Sequence, residues 1–394
     1  MHKNPAYNED VTGKNRSSKW WHHRRVKIIG ISFIILTICA ITLSLVLKYV
    51  ILAQGKLETI TETTTSTSSS ITMTSPTITT PQTTTSTITM TTTQESHSPK
   101  PGDGICANAT WTRNGETVAG GNKRGSALNQ LNYPYGLFVD NNQVIYVVDK
   151  ENNRVVKWDP GASSGQLVAG GNGEGEDNNQ LNGPIDVVVD TDGVMYITDT
   201  GNGRVQRWPR GAQSGETVVE ELFIFGIAQD DQGTLYLSNE IKYDVRKWRV
   251  GETVGQLITS ELSFPRLLFV DRSRSIYIAD SNNHRVVKVD DGATQISIVA
   301  TGYLENSTAK IENPTSVVVD ELGTVYLSDS DNQIIRWLRG AKFGHVIVGG
   351  YHPGFQSDQL FNPTDIAFDS DGNLYVVDSS NHRVQKFAID KSMC

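Results

Sequence analysis

The stretch "NNHRVVKV" (282–289) sets a histidine beside an arginine, and "SNHRVQKF" (380–387) does so again. Such a pairing suggests a reactive site. Two carboxylates, Asp186 and Asp365, follow "GPI" and "NPT" and raise a second possibility, a bound cation. A cation site draws oxygen ligands from several groups at once. Two carboxylates in separate copies of a repeat are more readily explained as hydrogen-bond acceptors for neighbouring backbone. Whether either constellation is chemistry or scaffold depends on the elements that carry it.

Those elements repeat. The strand–turn–strand units are "YVVDKENNRVVKW" (146–158), "YITDTGNGRVQRW" (196–208), "YLSNEIKYDVRKW" (236–248), "YIADSNNHRVVKV" (277–289), "YLSDSDNQIIRW" (326–337) and "YVVDSSNHRVQKF" (375–387). These are six copies at spacings of 40 to 50 residues. Each follows an apolar run such as "GLFVD" and a turn such as "TDG" or "SDG", which suits a tight hairpin. A further short strand, "QLVAG" in the first copy, completes a unit of strands a, b, c and d. β-branched and aromatic residues dominate the runs, and no helical period appears. Six such units predict an all-β, six-bladed β-propeller over 106–394.

The pattern Pro–x–x–apolar–Asp, then Gly–x–x–Tyr–apolar–apolar–Asp, then Asn–His–Arg–apolar–x–Lys resembles the NHL-repeat propeller family over roughly 110–390. Asn283-His284-Arg285 and Asn381-His382-Arg383 match it most fully, and the third copy departs from it. The copies also serve as their own alignment. Asp149 faces Arg154, Asp199 faces Arg204, Asp280 faces Arg285, and Asp378 faces Arg383. In the third copy both partners change, to Asn239 and Asp244; in the fifth, Gln333 stands opposite Asp329. Joint loss is what a touching pair would show. The pairs are therefore expected to pin the b–c turns as charge-assisted hydrogen bonds, and His284 and His382 read as turn residues rather than ligands.

The last copy ends without a strand d, while "NGETVAGG" (114–121) matches "SGQLVAGG" (164–171). The N-terminal piece is thus expected to supply the outer strand of blade six and protect its edge. Cys106 and Cys394 then lie on one face beside that blade, and a disulfide between them is expected in an oxidising compartment. Cys39 is in the membrane segment and is no partner for either.

The opposite, upper face carries the b–c turns and the d–a loops. The loops are long into blades one, two, five and six and short into blades three and four, so the face has a raised half and a low half. Tyr135, Asp186, Arg266, Ser316 and Asp365, at the starts of strand a, are the candidate residues of the channel mouth. Other motifs fail on inspection. "GGNGEGED" lacks the Asp of a calcium-binding repeat at Gly175. "DTDG" and "DSDG" recur at hairpins without further ligands. "GGNKRGS" misplaces the lysine of a phosphate-binding loop. Asn108 and Asn306 head proper glycosylation sequons.

The first hundred residues are of another kind. Residues 28–47 hold no charge, and a helix of that length spans about 30 Å, the thickness of a bilayer core. Lys19, Arg24, Arg25 and Lys27 precede it, which predicts a cytoplasmic N-terminus and an external C-terminus. Residues 59–99 hold 27 Thr or Ser among 41 positions, too little apolar surface to order a fold. The expected organisation is a tail (1–27), a transmembrane signal-anchor (28–53), a Thr/Ser-rich stalk (54–105), O-glycosylated if extracellular, and the propeller (106–394).

The expected function is membrane-anchored recognition of a protein or glycan through the upper face, with no cofactor and no metal. The resemblance also implies alternatives. Some relatives are amidating lyases, and related six-bladed folds include metal-dependent lactonases, which need ligands converging on the axis. Intracellular relatives bind RNA or serve ubiquitin transfer. A net charge of −8 and the absence of paired Cys/His zinc spacing argue against those, and against nucleic acid as a partner.

Overall fold

Strand b of each blade is apolar on both faces, "IYIAD" in blade four and "LYVVD" in blade six, and every residue of these two strands is buried. Strand d is different: Gln166–Gly170 is exposed at its first two positions and buried only at its end. Two-sided burial inside and one-sided burial outside is what radially stacked sheets impose. The computed structural model describes residues 104–394, apart from Leu222, Val250, 303–308 and Tyr351. Among the described residues the strands form six four-stranded sheets and one two-stranded ribbon. All the four-stranded sheets are antiparallel, five of them meanders of consecutive strands, and the predicted all-β, six-bladed propeller is what forms.

The d strand expected for some units is present in every blade, with blades one to five drawing it from their own sequence. Blade six takes Glu116–Gly120, which pairs antiparallel with Arg383–Phe387. Its register repeats blade one: Gly120 opposes Arg383 as Gly170 opposes Arg154. The glycine before strand d is sterically required. A Cβ on Gly115 would lie 2.7 Å from the Phe387 ring, closer than packed atoms approach. A further ribbon, Thr110–Trp111 against Ile389–Asp390, extends the closure. Trp111 packs with Tyr326 and Phe368 and donates its indole N–H to the Gly372 carbonyl at 3.0 Å. Cys106 and Cys394 form the expected disulfide, with Cα atoms 5.8 Å apart.

Among the described residues no helix is long and apolar enough to cross a membrane. The expected anchor, most of the expected stalk and the Asn306 sequon lie outside the described residues; Asn108 is exposed.

Candidate functional site

The Asp–Arg pairs hold more than the b–c turn. Asp149 is fully buried; its Oδ2 accepts from Arg154 Nε and Asn152 Nδ2, both at 2.7 Å. The other oxygen accepts the Asn132 N–H, also at 2.7 Å. The Arg154 Nη groups then reach back into the d–a loop and donate to the carbonyls of Ser126, Ala127 and Gln130. Arg204 does the same to Glu176, Asp177 and Gln180, and Arg383 to Gln356 and Gln359. The guanidinium is therefore the anchor of the long loops on the upper face, and the expectation that the pair pins the b–c turn covers only half of its work. Burial pushes the Asp149 and Asp378 carboxyls above their ordinary range, against the pull of these same partners.

The Arg-less copies divide the role. In blade five the Gln333 amide donates to the Lys310 carbonyl at 2.9 Å, so it keeps the loop contact. In blade three Asn239 accepts from the Ile241 and Lys242 N–H groups, and Asp244 pairs instead with Arg246 at 2.8 Å.

The position before each Arg has a function that sequence reasoning missed. It ends the turn in the left-handed region, with φ of 51° at Asn153 and His284 and 56° at His382. From there the side chain reaches the next blade. Asn153 Oδ1 accepts the Gly183 N–H and Asn332 Oδ1 the Asn362 N–H, both at 2.8 Å. His382 Nδ1 accepts the Tyr133 N–H at 3.1 Å across the closure. His284 meets the Glu312 carbonyl through Nδ1. Blades two and three place Gly203 and Tyr243 there. Their ties come from other residues: Thr198 Oγ1 donates to the Phe225 carbonyl, Thr200 Oγ1, in the turn itself, to that of Ile224, and Ser238 Oγ to that of Arg266.

At the channel mouth the five candidates separate into two groups. Asp186, Ser316 and Asp365 are buried. Asp186 accepts the N–H of Val187 and, from blade three, of Ile227. Asp365 accepts from Ile366 N–H, Ser316 Oγ and, from blade one, Leu137 N–H. Each carboxylate thus staples its blade to the next and is no part of an open ligand surface. Burial raises both carboxyls, Asp365 to about 7 and Asp186 well above its ordinary value with the charge of Asp365 adding to it. Tyr135 and Arg266 remain partly exposed. Arg266 Nη1 donates to the Tyr135 hydroxyl at 3.2 Å, and its guanidinium lies over the rings of Phe225 and Phe264. Burial holds the Tyr135 phenol up at about 12.

The hairpin aspartates behave as the sequence suggests. Asp190 Oδ1 accepts from Asp192 and Val194 N–H, and Asp369 Oδ1 from Asp371 and Asn373 N–H, which makes "DTDG" and "DSDG" closed turns. Among the described residues no three His, Cys, Asp or Glu side chains group as a metal site requires.

Comparison with known proteins agrees with this architecture. The NHL-repeat model matches residues 181–208 and 362–387, so the chain carries NHL repeats. No curated protein matches the sequence. Among solved structures, an auxiliary nutrient binding protein from Bacteroides thetaiotaomicron is 15% identical, with a TM-score of 0.56 over 72% of this chain and 76% of that one. One from Bacteroides ovatus is 16% identical, at 0.54 over 72% and 77%. A virginiamycin B lyase from Staphylococcus aureus is 10% identical, at 0.47 over 71% and 99%. At such identities the likeness to the two nutrient binding proteins is one of fold.

Proposed function

We infer that the chain is a membrane-anchored, extracellular binding module that presents the upper propeller face to a protein or glycan. The observation that carries this reading is the placing of exposed apolar side chains on upper-face loops and turns. Phe223, Ile241 and Tyr243 stand on one side, and Phe355 and Phe361 on another. None of them contributes to a core, and exposed apolar groups on loops held by a rigid scaffold suit recognition. The axis supports binding over catalysis, because both oxygens of Asp186 and of Asp365 are already engaged by N–H groups. The charge-free 28–47 segment with basic residues before it supports the anchor and its orientation.

A glycan array and a cell-surface protein screen with the 104–394 propeller test the reading. Captured ligands should lose binding on substitution of upper-face residues and keep it on substitution of lower-face ones. Tags at the two chain ends on intact cells should leave only the C-terminal one open to antibody; an accessible N-terminal tag overturns the orientation.

A further inference from the structure

We propose that the blade-three corner of the upper face is a docking site for a protein segment that presents an aliphatic or aromatic side chain beside lysine or arginine. This rests on the upper face being the binding face and names the partner class for it.

The internal repeats show what the scaffold needs here. At the turn position held by Ile241, blades one, two, four and six carry Glu151, Gly201, Asn282 and Ser380. Ile241 is 54% exposed. At the next-but-one position the other blades place residues that suit the left-handed region or tie blades together. Blade three instead puts a tyrosine there at φ 55°, 46% exposed. A bulky aromatic in that region is strained. Phe223, one residue before the strand that opens blade three, is also in the left-handed region and exposed. Blade three thus places three large apolar groups in water at its upper edge, two of them in strained backbone, and none adds to the core.

Charge identifies the occupant. Lys242, between Ile241 and Tyr243, is bound to Glu221 at 2.5 Å, so the turn and the d–a loop adjoin and the local cation is already neutralised. Glu221 in turn lines an open concavity of about 530 Å³ together with Glu176, Glu220, Thr217 and Arg204, whose guanidinium is already held by Asp199. Lys242 takes up the Glu221 charge and Asp199 that of Arg204, so the apolar group adjoins a concavity whose remaining charges are the carboxylates of Glu176 and Glu220. Apolar anchors give an interface its affinity, and opposite charge around them steers and selects the partner. A basic, apolar protein segment matches both; an acidic one is repelled, and a neutral glycan leaves the carboxylates desolvated.

The test is a selection of displayed random peptides on the purified full chain. Enriched peptides should carry an apolar residue flanked by Lys or Arg, and binding should weaken as salt rises. Their affinity should fall at least about tenfold on Ile241→Ser with Tyr243→Asn, and also on Glu176→Lys with Glu220→Lys. Serine and asparagine are what blades six and one carry at these positions, so folding should survive; Ile241→Ser alone replaces the pair should melting fall. Enrichment of acidic or uncharged peptides, no enrichment, or indifference to these substitutions overturns the proposal. Peptides lost instead on Phe355→Ser with Phe361→Ser overturn it while leaving the upper-face reading intact. Peptides lost only on Phe343→Ser, in a lower-face turn, overturn both.

Discussion

Blades six and three are built from the same repeat and held by different means. Blade six keeps the whole upper-edge device: Asp378 receives Arg383 at 2.7 Å and Asn381, and His382 reaches blade one. It also closes the ring with a borrowed strand and a disulfide. Blade three has no Asp–Arg pair at that site and no side-chain tie from Tyr243 among the described contacts. It is held close to the axis, where Asp186 and Thr198 reach it from blade two and Ser238 reaches on to blade four. The difference shows that the upper-edge device is separable from the ring. Blade six has both kinds of tie, since Asp365 and Thr364 reach blade one near the axis and His382 reaches it from the turn, whereas blade three holds blade four through Ser238 and leaves its turn side chains facing solvent.

The largest effect should come from the closure. Cys394→Ser removes a link between residues 288 positions apart, and loss of such a disulfide costs about 2–5 kcal/mol. Melting should fall accordingly. Hydrogen exchange should rise first in Glu116–Gly120 and in the Thr110–Trp111 ribbon, with blade-three amides unchanged until global unfolding. Uniform acceleration in all blades would show that blade three shares the closure after all.

The pairs come next. Arg154→Ala leaves Asp149 buried without its cation and releases three loop carbonyls. The cost should be about 1–3 kcal/mol. Arg246→Ala in blade three breaks a pair whose arginine side chain is 28% exposed, though Asp244 is buried, and it releases no d–a loop carbonyl; it should cost less than Arg154→Ala, about 1 kcal/mol. Denaturant titration of both variants checks the ranking; equal losses would make the blade-three pair a true substitute.

Much of this scaffold is legible in the sequence, because six copies of one unit provide their own alignment. Matching "NGETVAGG" to "SGQLVAGG" locates the closing strand, and the strand directions bring Cys106 and Cys394 together. The loop-anchoring role of the arginines is not legible in the same way, because their Nη partners are backbone carbonyls 24 to 28 residues earlier, which carry no residue-type signal. The tie made by Asn153, His284, Asn332 and His382 left a trace. Four copies lack the histidine, yet Asn153 and Asn332 retain an acceptor at its place. Its meaning needs the neighbouring blade. Asp186 and Asp365 act as the backbone acceptors the sequence suggests, but position at the start of strand a does not say that their side chains turn into the next blade.

The axis carboxylates allow a finer comparison of the two junctions. Asp365 joins blade six to blade one, and Asp186 joins blade two to blade three. The Asp365 carboxyl is held at about 7, far above its ordinary 3.8, so the folded state binds its proton more tightly than the unfolded chain does. Stability should therefore rise as pH falls from above 7 towards 4. One such group gives about 1 kcal/mol between pH 8 and pH 6. Asp365→Asn lowers stability overall, because one acceptor oxygen becomes a donor, yet it should flatten that part of the curve. An unchanged pH profile would move the titration to another group.

The smallest effect concerns the histidine of the closure, and its sign is opposite. Burial first, and then the charge of Arg124, hold the His382 imidazole below its ordinary 6.5. Its Nδ1 must be unprotonated to accept the Tyr133 N–H. The contribution of this tie is therefore present above 6.5 and lost as pH falls through the lower, folded value. Asn332 makes the same tie in blade five with an amide oxygen that does not titrate in this range. His382→Asn should thus keep the stability of the parent at neutral pH and lose less of it in mild acid, by a few tenths of a kcal/mol to about 1 kcal/mol. His382→Ala should be weaker at both. Melting curves at pH 7.5 and pH 5.5 separate the cases, and a His382→Asn protein that tracks the alanine variant would show that the imidazole acts by packing on Tyr133, 4.7 Å between ring centres, and not by its hydrogen bond.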